Sequence, residues 1–113
     1  MELSGERCES CHAGAPRVPD DELPLLLAAV PDWELVTIRD IPRLKRVFRV
    51  EGWEPAVALA NQIAEVASRN DHHPSLLIEW GKVTVQWWTH SIGGLHRNDF
   101  VMAAKVNDII NIK

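Results

Sequence analysis

The chain has 113 residues, 46% apolar and 25% charged, which are the proportions of one globular domain able to bury a core. A net charge of −4 and a pI of about 5.7 argue against a dominant phosphate-neutralising surface, and hence against nucleic-acid binding. No apolar run is long enough to span a membrane. The acidic start Met1-Glu2-Leu3-Ser4-Gly5-Glu6 has no apolar signal segment, so the cytoplasm is the expected compartment and reduced thiol the expected state of Cys8 and Cys11.

Residues 1–20 read as an irregular N-terminal extension, with Gly5, Gly14, Pro16 and Pro19 and little apolar periodicity; residues 21–113 read as the folded domain. Cys8-Glu9-Ser10-Cys11-His12 resembles half a zinc knuckle, and with no second ligand pair in the chain no structural metal is expected there. Asp20-Asp21-Glu22-Leu23-Pro24 has the acids and early proline of a helix start, and that helix runs towards Pro31. Trp33–Arg39 reads as a strand, Asp40-Ile41-Pro42 as a turn, and Leu44–Val50 as the second strand of an antiparallel hairpin. Arg43, Lys45, Arg46 and Arg49 would then form a solvated strand edge.

Residues 53–70 show the clearest helical period, with Trp53, Ala56, Val57, Ala60, Ile63, Ala64 and Ala67 on one stripe. A third strand is expected at Leu76–Trp80, a turn at Gly81-Lys82 and a fourth strand at Val83–His90. In the fourth, Val83, Val85 and Trp87 share one face, while Thr84, Gln86, Trp88 and His90 share the other. Trp87 therefore reads as core and Trp88 as a candidate for a ligand pocket or a subunit contact. Gly93-Gly94 breaks the strand, and residues 96–110 form a last helix with Phe100, Ala103, Ala104, Asn107 and Ile110 near one side. The order α-β-β-α-β-β-α predicts an α+β fold, a four-stranded antiparallel sheet with helices packed on one face. The open edges of such a sheet favour pairing between copies of the chain.

Chemistry concentrates late in the chain. Four of the five histidines, His72, His73, His90 and His96, lie between residues 72 and 96. Histidine is the side chain whose charge changes near neutral pH without a special environment. The hairpin of strands three and four brings the start of one beside the end of the other, so His72, His73 and His90 are expected to converge at one sheet edge. Three imidazoles there suit general acid and base work on a small ligand. Zinc is the competing reading, with Asp71 and Asp99 as further ligands, but adjacent histidines on an extended segment point to opposite faces. His96, near the N-cap of the last helix, reads as structural. Asp99, in the first turn of that helix, has two readings, a helix cap alone or a cap that also meets a ligand.

Together, Asp71-His72-His73-Pro74, Trp80, Thr89-His90, Gly93-Gly94-Leu95 and Asp99 resemble the pterin-4a-carbinolamine dehydratases, over residues 21 to about 110. The Cys8–Cys11 extension followed by Asp21-Glu22-Leu23-Pro24 is similar to that of bacterial members paired with phenylalanine hydroxylase. The resemblance implies a lyase that removes water from 4a-hydroxytetrahydropterin to give quinonoid dihydropterin. It implies no cofactor and no metal, a homodimer or homotetramer, and a functional link to phenylalanine hydroxylase. It also implies His72 and His90 as the acid/base pair and His73 as the residue that holds the pterin, with Pro74, Thr89, Ser91 and Asp99 at the same substrate site. The alternative it implies is a non-catalytic pterin-binding or protein-interaction module, since animal members also serve as the dimerisation partner of a transcription factor. The chain departs from the family pattern at Ser68, where an ionisable residue is usual and Asp71 is the candidate substitute, and at His96, where Ser or Thr is common.

Overall fold

Alternation of β-branched or aromatic residues with polar ones builds two hairpins, and pairing between their inner strands joins them into one sheet. The computed structural model describes residues 3–6, 8 and 17–111. In chain order these form α1 (Leu23–Ala29), β1 (Glu34–Ile38), β2 (Ile41–Arg49), α2 (Trp53–Asn70), β3 (Ser75–Glu79), β4 (Lys82–Trp87) and α3 (Arg97–Asn111), with 3-10 turns at Leu3–Gly5 and His90–Ile92. The sheet order is β1-β2-β4-β3, with every neighbour antiparallel. The fold is thus α+β in the expected element order.

The first hairpin turns one residue earlier than the sequence suggests. Ile38 pairs with Ile41, and the turn is Arg39-Asp40, with φ of 53° and 65°. Two successive positive φ values give the turn whose twist matches its flanking strands. Pro42 then lies inside β2, opposite Thr37. Counting outward from the closing pair, Thr37 and Pro42 do not exchange backbone hydrogen bonds, so the N–H that proline lacks would point to the other side. There the β4 ladder begins only at Leu44↔Trp87, and no bond is lost.

β2 is a central strand, and its basic residues are not a solvated edge. Arg43 and Arg46 are half-buried and, three apart, lie on opposite faces. On the helix-covered face Leu44, Phe48, Val83, Val85 and Trp87 are buried. They meet Ala56, Leu59, Ala60, Ile63 and Ala67 of α2. The alanines let the helix axis approach the sheet. The α2 stripe is rotated from the one expected, because Leu59 is buried while Ala64 is exposed and Trp53 is 51% exposed. Both stripes satisfy a 3.6-residue period, and the direction of the sheet selects between them.

α3 is more deeply buried than its one-sided pattern suggests. Phe100, Val101, Met102, Ala103 and Val106 are all in the core. The cause is a second cover: the Leu3–Gly5 turn packs on α3, with Leu3 itself buried. Arg97 donates from Nε and Nη2 to the two oxygens of Glu6 at 2.9 and 2.7 Å, and Lys105 Nζ donates to Ser4 O at 2.7 Å. On the sheet side, Asn107 Oδ1 accepts from Trp33 Nε1 at 2.9 Å and Arg46 Nη1 at 2.6 Å, which satisfies a cation on the inner face.

Two stability outcomes follow from this packing. Phe100→Ala should cost about 3–5 kcal/mol in urea unfolding, the range for truncating a large aromatic side chain in a core. Trp87→Phe should cost less than half of that, because the Trp87 Nε1 donor is buried with no partner among the described residues and phenylalanine removes it. A third outcome concerns Glu6. Hydrogen bonds from Arg97 hold the Glu6 carboxyl below its ordinary value, against partial burial and aided by the guanidinium charge. A lowered folded-state value means that the clamp contributes fully above the ordinary glutamate range and is lost as pH falls through the folded value. Proteolysis of the N-terminal segment by an acid-active protease should therefore accelerate in that acid window, and with a protease active at neutral pH Glu6→Gln should be cut there faster than the wild-type chain.

Candidate active site

The site begins where α2 stops. Asp71 takes a left-handed conformation, φ 50°, and its N–H bonds back to Ala67 O and Ser68 O. The His72 N–H reaches Ala67 O at 3.2 Å, closing a Schellman-type helix end that fixes His72 against α2. Pro74 keeps His73 out of the helical region, so the chain is extended by the time β3 starts at Ser75. Adjacent residues on extended backbone face opposite ways. His72 is accordingly 7% exposed and lies parallel to the buried Trp87 ring, with centroids 5.8 Å apart, whereas His73 is exposed.

His72 Nε2 lies 2.7 Å from Asp99 Oδ1. Asp99 Oδ2 accepts from Thr89 Oγ1 and from the His96 N–H, each at 2.9 Å. Asp99 has no exposed surface, and all three donors are buried. The His96 bond is one half of a capping box at the start of α3. The other half is unusual, because His96 Nδ1 accepts from the Asn98 N–H at 2.9 Å, where a serine or threonine hydroxyl would ordinarily serve. Asp99 therefore caps the helix and binds His72 at once. The carboxyl group paired with His72 is that of Asp99; Asp71, the candidate from sequence, is exposed.

β4 ends at Trp87, earlier than expected, and His90 opens the 3-10 turn instead of closing the strand. Thr89 and Gly94 bond to each other across this loop, N to O at 2.8 and 3.4 Å, and Gly93 completes it with φ 58°. Residues 17 and 18 strap the loop from outside: Arg17 Nη2 donates to Ile92 O at 2.5 Å and the Val18 N–H to Leu95 O at 2.9 Å. A Cβ on Gly94 would stand 3.4 Å from Arg17 Nε, which places the arginine side chain directly over this glycine. His90 and Ser91 are exposed and Pro74 is half-buried.

The β3–β4 register ends at Ser75↔Gln86. Extended past that pair, it sets His73 beside Trp88 and His72 beside Thr89. The shared bond of His72 and Thr89 to Asp99 agrees with this. The arrangement has a buried half (His72, Thr89, Asp99) and an exposed half (His73, His90, Ser91). Trp88 is half-buried, with its ring centroid 4.5 Å from that of His90. Cys11 and His12 lie outside the described residues, and Cys8 is half-buried against the core. Among the described residues no three histidine, cysteine or carboxylate side chains are grouped to hold a metal ion, and no helix is long and apolar enough to cross a membrane.

Sequence reasoning did not reach two partners of this site, Arg17 on the Ile92 carbonyl and Arg43, whose guanidinium carbon lies 3.9 Å from the Trp88 ring centroid. Both come from elements distant in the chain, and neither carries a motif.

Comparison with known proteins agrees with this geometry. The crystal structure of a transcriptional coactivator/pterin dehydratase from Brucella melitensis superposes with a TM-score of 0.74 at 31% sequence identity, over 83% of this chain and 98% of that one. Residues 16–109 match the family model for pterin 4 alpha carbinolamine dehydratase. With most of its length matched, this chain belongs to the pterin-4a-carbinolamine dehydratase family.

Proposed function

We propose that this protein dehydrates 4a-hydroxytetrahydropterin to quinonoid dihydropterin, with its histidines as the acid and base. The observation that supports this reading is the bond between the buried Asp99 and His72, in a dipeptide whose second imidazole, His73, is exposed. The reaction breaks the C4a–O bond. A proton is delivered to the departing hydroxyl, which leaves as water, and a proton is removed from a ring nitrogen, so none is gained or lost overall. Imidazoles suit both transfers.

In this reading His72 and His90 move the protons and His73 holds the pterin. Asp99 takes the Nε2 side of His72, so His72 exchanges protons through Nδ1. Thr89 and Asp99 act by holding His72 in place, as Asp99 bonds His72 through one oxygen and accepts from Thr89 and the His96 N–H through the other. Pro74 and Ser91 line the edge between the buried and exposed halves. The protein would restore the pterin used by a hydroxylase such as phenylalanine hydroxylase, and would act as a homodimer or homotetramer joined through the open edges at β1 or β3. A contact with another protein is the second reading. It is favoured by Trp80 and Trp53, 77% and 51% exposed, at the junction of the β3–β4 turn and α2.

The test is a stopped-flow assay on enzymatically generated carbinolamine. His72→Ala and His90→Ala should each lower kcat on the order of 10²–10⁴-fold, with smaller changes in KM. Wild-type turnover in the double variant would refute the assignment. Asp99→Asn replaces one acceptor oxygen with a donor, which must then face the Thr89 and His96 donors or force His72 to turn. It should lower kcat at least about tenfold and destabilise the fold by roughly 1–3 kcal/mol, read by turnover and urea unfolding.

A further inference from the structure

The face of the sheet turned away from the helices carries a second structure leading to His90. Extending the β2–β4 register beyond Leu44↔Trp87 sets Arg43 opposite Trp88. The Arg43 guanidinium carbon lies 3.9 Å from the Trp88 ring centroid. Its Nη1 donates to Gln86 Oε1 at 3.2 Å and its Nη2 to Ile38 O at 3.4 Å, so the planar group is tied at both ends to neighbouring strands. Arg43 Nε is buried and has no partner among the described residues, so the guanidinium is held by those two bonds and by its stack on the indole. On Trp88 in turn packs His90, with centroids 4.5 Å apart and planes inclined at 38°.

We infer that Arg43 and Trp88 are positioning residues for His90: the strand-anchored guanidinium fixes the indole, and the indole limits the imidazole to one orientation. The inference rests on the reading of His90 as a proton carrier. His90 is exposed and sits on a 3-10 turn, so without the indole it would have rotamers to lose when substrate binds. Holding an exposed side chain in its working geometry before binding is worth roughly threefold to tenfold per residue. Cation–π attraction makes Arg43 more than a spacer, because the half-buried guanidinium, stacked on the ring, draws the indole to one place.

The experiment combines two readouts on Trp88→Leu, Arg43→Gln and the double variant, with folding checked by circular dichroism. The first is the NMR shift of the His90 ring protons in the resting protein, which the Trp88 ring current displaces whether or not the protein is a dehydratase. The second is kcat and KM for dehydration. Trp88→Leu should abolish the displacement and lower kcat roughly threefold to tenfold, with KM changed less than about twofold. Arg43→Gln should shift the same protons part of the way and lower kcat less. Because Arg43 acts through Trp88, the double variant should lose no more than Trp88→Leu alone. Should Trp88→Leu fail to fold, the same paired changes in Arg43→Gln carry the test.

His90 shifts that move while kcat stays at the wild-type value would overturn the inference and leave the dehydratase reading intact. So would a rise in KM at constant kcat, which would make Trp88 a substrate contact. Additive losses in the double variant would remove Arg43 from the inference. Wild-type turnover in His90→Ala would overturn the role of His90, and the inference with it, even with the ring-current shift present.

Discussion

The Asp99 carboxyl group is the point on which the rest of the site depends. A carboxyl group without solvent is costly unless its oxygens are hydrogen-bonded, and here three donors fill them. The donors come from three separate places: the end of α2, the second residue beyond β4, and the residue before α3. One side chain thus joins the second hairpin to the last helix at the point where the chain leaves the sheet. The start of α3 adds a favourable field, since the free N–H groups of a helix N-terminus attract negative charge. Because each donor is itself buried, no water can replace a lost bond without opening the core.

This anchoring explains why two neighbouring histidines behave differently. The Schellman-type end of α2 fixes the direction of His72, and Pro74 forces the extended step that follows. The pleat then turns one imidazole inward against Trp87 and leaves the other outside. A buried, oriented group and an exposed, accessible group therefore come from a single dipeptide. On the opposite side of the sheet, the Arg43–Trp88–His90 stack does for the exposed half what Asp99 does for the buried half, with aromatic packing in place of hydrogen bonds.

The loop between Thr89 and Gly94 is held from both sides. Inside, Thr89 is bonded to Asp99; outside, Arg17 and Val18 bind the Ile92 and Leu95 carbonyls. The N-terminal segment contributes a second time, through the Glu6–Arg97 clamp and the buried Leu3, which pack on α3. Residues read from sequence as an irregular extension thus include some that cover the helix carrying Asp99.

Local physics made much of this legible in sequence. The helical period, the proline and glycine breaks, and the period-two strands gave the element order, and the second hairpin alone brought His72 and His90 to one end of the sheet. The buried state of Trp87 followed from alternation. Tertiary structure decided what period and propensity leave free. It rotated the α2 stripe to bury Leu59, made β2 central so that Arg43 and Arg46 became partners of Trp88 and Asn107, and ended β4 before His90. It also chose Asp99 over Asp71 as the partner of His72. Asp71 is next to His72 in the chain, but the left-handed helix end leaves it exposed, whereas capping geometry carries Asp99 into the core. Sequence specifies which groups are available and how each segment repeats. Which groups meet depends on the direction each segment faces once the sheet and helices close on one another.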